Sequence, residues 1–578
     1  MYQKIAAALL VVAGVGLTAT GGYLVVSDNG ATGGGRSGDP LVGHVPADTI
    51  AFTGYTDTTL PIREISSLWG ELEGLASVNA ASPKAASDEG GPGVGLLARL
   101  YNAYMASLTE DERLLGRFGT LDGDGLGLYA VGALPVLRVS IEQPDAFWQQ
   151  IDSIESEAGI SANSNNRDDT RLRRYRLGNK DDAAAQLVVA THDRDAVITF
   201  DGPGINDDAL ALALGERQPE SSLADSGQLS AVADTHGLQA GATGFIDHER
   251  IVAGLTGASG SRFGDMLGAI ASARSESGAE PSLATIRTSA CRQDARAIAA
   301  QWPHTAVGLT EIDSDQRRFQ TRLAVAGSNQ GVMETVQALR GHVPQATTAP
   351  AMLELGVGLN IQQLVPTLKD LAQRFTTGDY KCQVLRQAQQ QISSQPIGQL
   401  GMVTAMLGDI RGVGAAIMGV EPGSGPAPVT GDAVVEIATP EPKALWQSAT
   451  STLGLTAKGE VTSGGDPVAV SGGIPLPPDV NLRVALRENT LMILTGQADP
   501  GDAAGESDLE ANGLLRISYD YAALAAAAEA GGADRMGGKE AARAIKALKG
   551  FDVRYTTELD ATADDLRLDI GLQAKPET

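Results

Sequence analysis

Cys291 and Cys382 are the only cysteines in a chain of 578 residues. In an oxidising compartment two lone cysteines commonly pair, and a bond closing a loop of about 90 residues stabilises a fold by roughly 3 to 5 kcal/mol. With one cysteine in each half, that bond would also staple the halves together. Free buried thiols are the alternative. No CxxC motif is present, and two cysteines so far apart lack the paired spacings of a zinc site.

Other residue types that could do chemistry mostly lack the spacing. The six histidines, His44, His192, His236, His248, His304 and His342, are scattered, with no HExxH and no pair at i,i+4, which disfavours a zinc protease. No GxSxG elbow, SxxK pair or GxxxxGK[ST] loop occurs, and the one GxGxxG match, Gly33 to Gly38, has no strand before it. Asp122-Gly123-Asp124-Gly125 looks like a calcium loop but lacks the third acidic ligand and the distal Glu of an EF-hand. It reads as a turn before a strand, as does the Asp-rich stretch Asp201 to Asp208. No catalytic residue, metal or cofactor is expected.

Two binding features remain. Trp148 and Trp446 occupy equivalent places in the two halves of a chain with four Trp. They could line a shared apolar groove, although a large side chain on the apolar side of an amphipathic helix is usually core. Arg171, Arg173, Arg174 and Arg176 form one basic cluster that could meet an anionic headgroup or glycan; the plainer reading is a solvated edge strand that discourages pairing.

These residues are set in a repeated frame. Ala295-Arg296-Ala297-Ile298 returns as Ala542-Arg543-Ala544-Ile545 and Thr310-Glu311-Ile312-Asp313 as Thr557-Glu558-Leu559-Asp560, both offset by 247. Pro46-Ala47 matches Pro350-Ala351 at 304, Pro144 to Gln149 matches Pro442 to Gln447 at 298, and Leu187 to Phe200 matches Leu482 to Thr495 at 295. Stations in one order with shrinking offsets predict a duplicated domain of roughly 240 to 290 residues, with a first repeat at 43–335 and a second at 345–574.

Period-two alternation at Phe319 to Val325 and Leu566 to Leu572, each preceded by a strand-like run and a polar turn, predicts hairpins. Pro144 opens a helix carrying Phe147, Ile151 and Ile154, stopped by Gly159; Pro442 and Gly454 bound its counterpart. Asp247, Asn360 and Asp520 are expected to cap helices. Gly401 to Val420 reads as a buried or partly buried helix, and Asn79 to Gly95, Ser161 to Asp169, Glu421 to Gly431 and Asp499 to Ser507 as loops. The fold class is α+β: internally duplicated antiparallel sheets with packed helices, preceded by an N-terminal transmembrane helix.

The 44 basic and 70 acidic residues give a net charge of −26, and 11 of the basic residues are Lys. Such a chain is repelled by nucleic acid, so no nucleic-acid partner is expected. Lys4 precedes an uncharged run from Ile5 to Val26, long enough to cross a bilayer as a signal anchor or to act as a cleaved signal peptide. Residues 27–42 read as a flexible linker.

Pro46-Ala47-Asp48-Thr49, Ala133 to Arg138 and Tyr380-Lys381-Cys382 resemble segments of uncharacterised exported proteins of Gram-negative bacteria, a domain-of-unknown-function family opening with Pro-Ala-Asp-Thr. The resemblance implies an envelope location and supplies no catalytic residues. The expectation is a single-pass inner-membrane protein with a periplasmic body, a non-enzymatic binding or scaffolding module whose partner is an envelope protein or hydrophobic ligand. A carrier of lipid and a hydrolase with an unrecognised site are the alternatives; oligomeric state is left open.

Overall fold

The structure, a computed structural model, describes residues 40–56, 83–107, 125–167, 169–178, 185–275, 283–313, 316–345, 351–395, 401, 404, 408–422, 429–472, 481–499, 509–530, 542, 545–546, 548–549 and 553–574. The apolar segment 5–26, linker residues 27–39 and Asp122 to Asp124 lie outside them, whereas the end of the expected linker, residues 40–42, is not flexible but opens the Pro40–Gly43 helix, with Leu41 and Val42 buried in the core. Among the described residues no helix is long and apolar enough to cross a membrane. The fold is α+β, with antiparallel sheet as its main component.

The chain divides into two compact units, one of residues 1–326 with 380–386 and the other of 327–379 with 387–578. The first contains β1 (Ala51–Tyr55), β2 (Leu126–Val131), β3 (Leu134–Ser140), β4 (Asn163–Arg167), β5 (Thr170–Arg176), β6 (Gln186–His192), β7 (Asp195–Asp201), β8 (Thr243–Asp247), β9 (His304–Asp313) and β10 (Arg318–Ala326). They pair antiparallel in the order β4-β5-β6-β7-β3-β2-β1-β8-β9-β10.

The second unit contains β11 (Leu353–Val357), β12 (Gly412–Pro422), β13 (Val429–Ala438), β14 (Thr456–Ala457), β15 (Val468–Ser471), β16 (Arg483–Arg487), β17 (Thr490–Thr495), β18 (Leu515–Asp520), β19 (Val553–Ala561) and β20 (Asp565–Ala574). Its order is β14-β15-β16-β17-β13-β12-β11-β18-β19-β20. Counted from each unit's first strand, the two orders are the same.

Strand β6 explains the layering of the first unit. Its apolar run is buried on both faces: Leu187 and Val189 face one cluster, Val188 and Ala190 the other. The first cluster takes Phe147, Trp148, Ile151 and Ile154 from the Pro144–Ala158 helix, which ends with Gly159 in the left-handed conformation. The second takes Leu210, Leu212 and Leu214 from the Asp207–Leu214 helix. Asn206 caps that helix and Asp207 and Asp208 fill its first turn, so the Asp-rich stretch complements a helix N-terminus as well as turning the chain.

Several local expectations need correction. Asn79 to Gly95 contains the start of helices Pro83–Gly90 and Pro92–Ser107; Leu96 anchors the latter in the core. Ser161 to Asp169 contains the strand β4, an edge strand whose polar Asn-Ser-Asn-Asn-Arg sequence suits pairing on one side only. Gly412 to Val420 is strand rather than helix: β12 pairs with β11 and β13, and its buried positions Gly412, Gly414 and Ala416 alternate with more open ones. Asp247 and Asp520 accept the capping bonds from Arg250 and Ala523 N–H, whereas Asn360 makes no side-chain cap bond.

A buried charge marks equivalent places in the two sheets. In the first unit Arg138, 0% exposed, faces Val197 across the β3–β7 ladder. Its Nη1 donates to Asp195 Oδ2 at 2.6 Å, its Nε to the Tyr129 hydroxyl at 3.2 Å and its Nη2 to the Ala213 carbonyl at 3.0 Å. In the second unit Glu436, 1% exposed, faces Met492 across the β13–β17 ladder, and the Thr490 hydroxyl donates to its Oε1 at 3.4 Å. Glu436 Oε2 and Glu354 Oε1 have no hydrogen-bond partner among the described residues.

Burial pushes the Glu436 carboxyl up to about 7; the Thr490 bond opposes this and Glu354 adds to it. The folded chain therefore keeps a proton that the unfolded chain releases at an ordinary Glu value near 4.5. Its stability contribution is whole below about 4.5, declines as pH rises towards 7, and is gone above that. Glu436→Gln is expected to raise stability at pH 8 by about 3 kcal/mol while changing little at pH 4.5. Glu354, also raised by burial, leaves a residual slope. Urea unfolding of both proteins at the two pH values checks this, and parallel pH profiles would refute it.

Candidate functional site

An apolar concavity lies within the first unit, and its walls can be traced to local sequence. Thr288 caps the Ser289–Ala299 helix by accepting the Cys291 N–H at 3.1 Å. One turn on, the buried Asp294 turns its Oδ2 to the N–H groups of Lys381 and Cys382, at 2.6 and 2.7 Å. Cys382 is disulfide-bonded to Cys291. Two hydrogen bonds and one covalent bond thus hold the start of the Gln383–Ser393 helix in place, bringing Val384 and Leu385 to the site. The bond joins Cys291 to a cysteine in the sequence of the second repeat, and residues 380–386 around Cys382 belong to the first unit.

The opposite wall is the His248–Leu255 helix, started by the Asp247 cap. His248 Nδ1 donates to the Trp302 carbonyl at 2.7 Å, which leaves Nε2 to accept from the Thr305 hydroxyl at 3.0 Å. That lock fixes the helix against the start of β9. Between the walls lies a cleft of about 410 Å³, lined by Val252, Leu255, Ile298, Trp302, Val384 and Leu385 along with the disulfide.

A second, polar concavity of about 420 Å³ adjoins it in sequence, since the lining passes from Thr256 to Gly257, from Ile286 to Arg287 and from Cys291 to Arg292. Arg287 donates from Nη2 to the Gly264 carbonyl at 3.1 Å and from Nε to the Leu255 carbonyl at 3.4 Å; Arg292 Nε donates to the Thr256 carbonyl at 3.3 Å. The described salt bridges include neither guanidinium.

The residues singled out from sequence fall elsewhere. Trp148 is 2% exposed; its Nε1 donates to Thr191 Oγ1 at 2.9 Å and Phe147 meets it edge-on. Trp446 is 8% exposed and packs in a core of its own unit with Val484, Leu486 and Leu491. Both indoles are enclosed by their sheets, so neither forms a groove wall.

The arginine cluster lies on β5, which is paired on both sides and is not the edge. Arg173 is ion-paired with Asp152 and Glu155, Arg174 with Asp201, and the Arg171 and Arg173 guanidinium groups lie 4.6 and 4.9 Å from the Trp148 ring centroid. Arg176 is exposed. Neighbouring carboxylates and an indole face thus occupy Arg171, Arg173 and Arg174.

Sequence reading overlooked two constellations. The fold brings His236 and His304 together, Nε2 to Nε2 at 3.0 Å, so one ring must donate and the other accept. Burial and His236 hold His304 below the usual histidine value. Among the described residues no group of three or more His, Cys, Asp or Glu could hold a metal. The Arg287–Arg292 niche carried no motif; its only signal was two arginines flanking Cys291. No family model, curated protein or solved structure matches this chain.

Proposed function

We propose that this chain is an exported protein of the Gram-negative envelope, tethered to the inner membrane by residues 5–26, whose periplasmic body binds a hydrophobic ligand without catalysis. The observation that carries the reading is the apolar cleft closed by the Cys291–Cys382 disulfide. A volume of about 410 Å³ is in the range of small-molecule sites, and a disulfide across its wall is at home in an oxidising compartment. The body is an internally duplicated α+β domain on this reading. The common strand order supports that, as does the ladder pairing of Arg138 with Val197 and of Glu436 with Met492, at the offsets of 298 and 295 found in sequence.

Mass spectrometry of the natively expressed protein, intact and after organic extraction, tests the reading. A chain two protons lighter than its reduced mass, recovered with the membrane fraction and with an apolar molecule in the extract, is the expected result. Free thiols would refute the envelope location. An empty extract, together with failure of the oxidised protein to bind the neutral dye Nile red, would refute the binding role.

A further inference from the structure

The apolar cleft and the polar niche have no lining residue in common but are lined by consecutive residues at three places, Thr256–Gly257, Ile286–Arg287 and Cys291–Arg292, and a ligand of two-part character would fill both. We infer that this joint site takes a single-chain anionic amphiphile, its hydrocarbon tail along Val252, Leu255, Ile298 and Trp302 and its carboxylate or phosphate on Arg287 and Arg292. The inference rests on the binding role proposed above and adds the ligand's class.

Charge complementarity selects the head. The chain carries −26 overall, yet these two half-buried guanidinium groups hydrogen-bond main-chain carbonyls only and have no carboxylate partner among the described residues. Guanidinium forks suit the planar oxygens of carboxylate and the tripod of phosphate. Asp265, which also lines the niche, is exposed and can turn to solvent.

Shape selects the tail and the space for the head. The apolar part lies near the lower end of the range for small-ligand sites, about 300 to 1,000 Å³, which suits one chain rather than two. Gly268 keeps the niche open: a Cβ there would stand 3.0 Å from Arg287 Nη1.

Calorimetric titration of the oxidised full-length protein with laurate, methyl laurate and lauroyl lysophosphatidate tests the assignment. Laurate or lysophosphatidate is expected to bind at least tenfold more tightly than the uncharged ester, the stronger of the two naming the head as carboxylate or phosphate. Arg287→Gln with Arg292→Gln should remove roughly tenfold or more of that advantage, and added salt should erode it, while Nile red binding is unchanged. Should the double variant fail to fold, Gly268→Val places the block in the niche without touching the cleft and should weaken the anions alone. Equal binding of laurate and its ester, or indifference to both variants, would overturn the amphiphile assignment and leave the apolar cleft standing. Loss of laurate, ester and Nile red binding alike would instead overturn the binding role on which it rests.

Discussion

Asp195→Ala is expected to destabilise the first unit by about 3 to 5 kcal/mol, the cost of leaving a buried charge without its partner. Arg138 is fully enclosed, and among the described residues Asp195 is the only carboxylate bonded to it, at 2.6 Å. Tyr129 and the Ala213 carbonyl satisfy two other guanidinium nitrogens but carry no opposing charge. A guanidinium does not escape by losing its proton, so the folded state must either bear the bare cation or admit water.

The double variant Arg138→Met with Asp195→Asn removes the charge problem at similar volume, and is expected to recover most of the loss. Urea unfolding of the three proteins gives the answer. A single-variant loss below about 1 kcal/mol would mean that the ion pair behaves as a surface contact.

Replacing both cysteines, Cys291→Ser with Cys382→Ser, is expected to lower stability by about 4 kcal/mol, since the bond spans a sequence separation of 91 residues. The effect should be local as well as global. Without the bond, the start of the Gln383–Ser393 helix loses its covalent anchor and keeps the two hydrogen bonds to the Asp294 carboxylate. Lys381 and Arg386, both exposed, should then become early trypsin sites, and Nile red binding should weaken as Val384 and Leu385 leave the cleft. Wild-type protein in dithiothreitol should behave like the variant. Unchanged melting and cleavage patterns would place the stability of this segment elsewhere.

Local order was legible in the sequence wherever one residue dictates backbone geometry. Pro144 and Gly159 bound a helix because proline tolerates the first helical position and glycine the left-handed exit. The hairpins β9–β10 and β19–β20 followed from alternation over a half-buried face. Composition misled in two places: the Gly- and Ala-rich stretch after Pro83 is helical, and the apolar run of β12, a strand paired with β11 and β13, resembled a buried helix.

The candidate site was legible only as a possible Cys291–Cys382 pair. Its walls come from residues near 250, 290 and 384, and no local spacing encodes that convergence. The tryptophans and the arginine cluster attracted notice by rarity and charge, yet Trp148 packs beneath Arg171 and Arg173. Rarity in sequence marked a well-filled core there, whereas Arg287, just before a helix, and Arg292, inside it, stood in an unremarkable segment.

The membership of residues 380–386 in the first unit dictates an order of events during synthesis. β1 finds one ladder partner only when β8 arrives, nearly 200 residues later, so the centre of that sheet closes late. Even then the unit is incomplete until residue 386 has emerged, by which time β11 of the other unit has already been made. The two units therefore cannot mature strictly one after the other, and a ribosome-bound chain truncated at residue 326 should carry a reactive, unpaired Cys291 and a half-walled cleft.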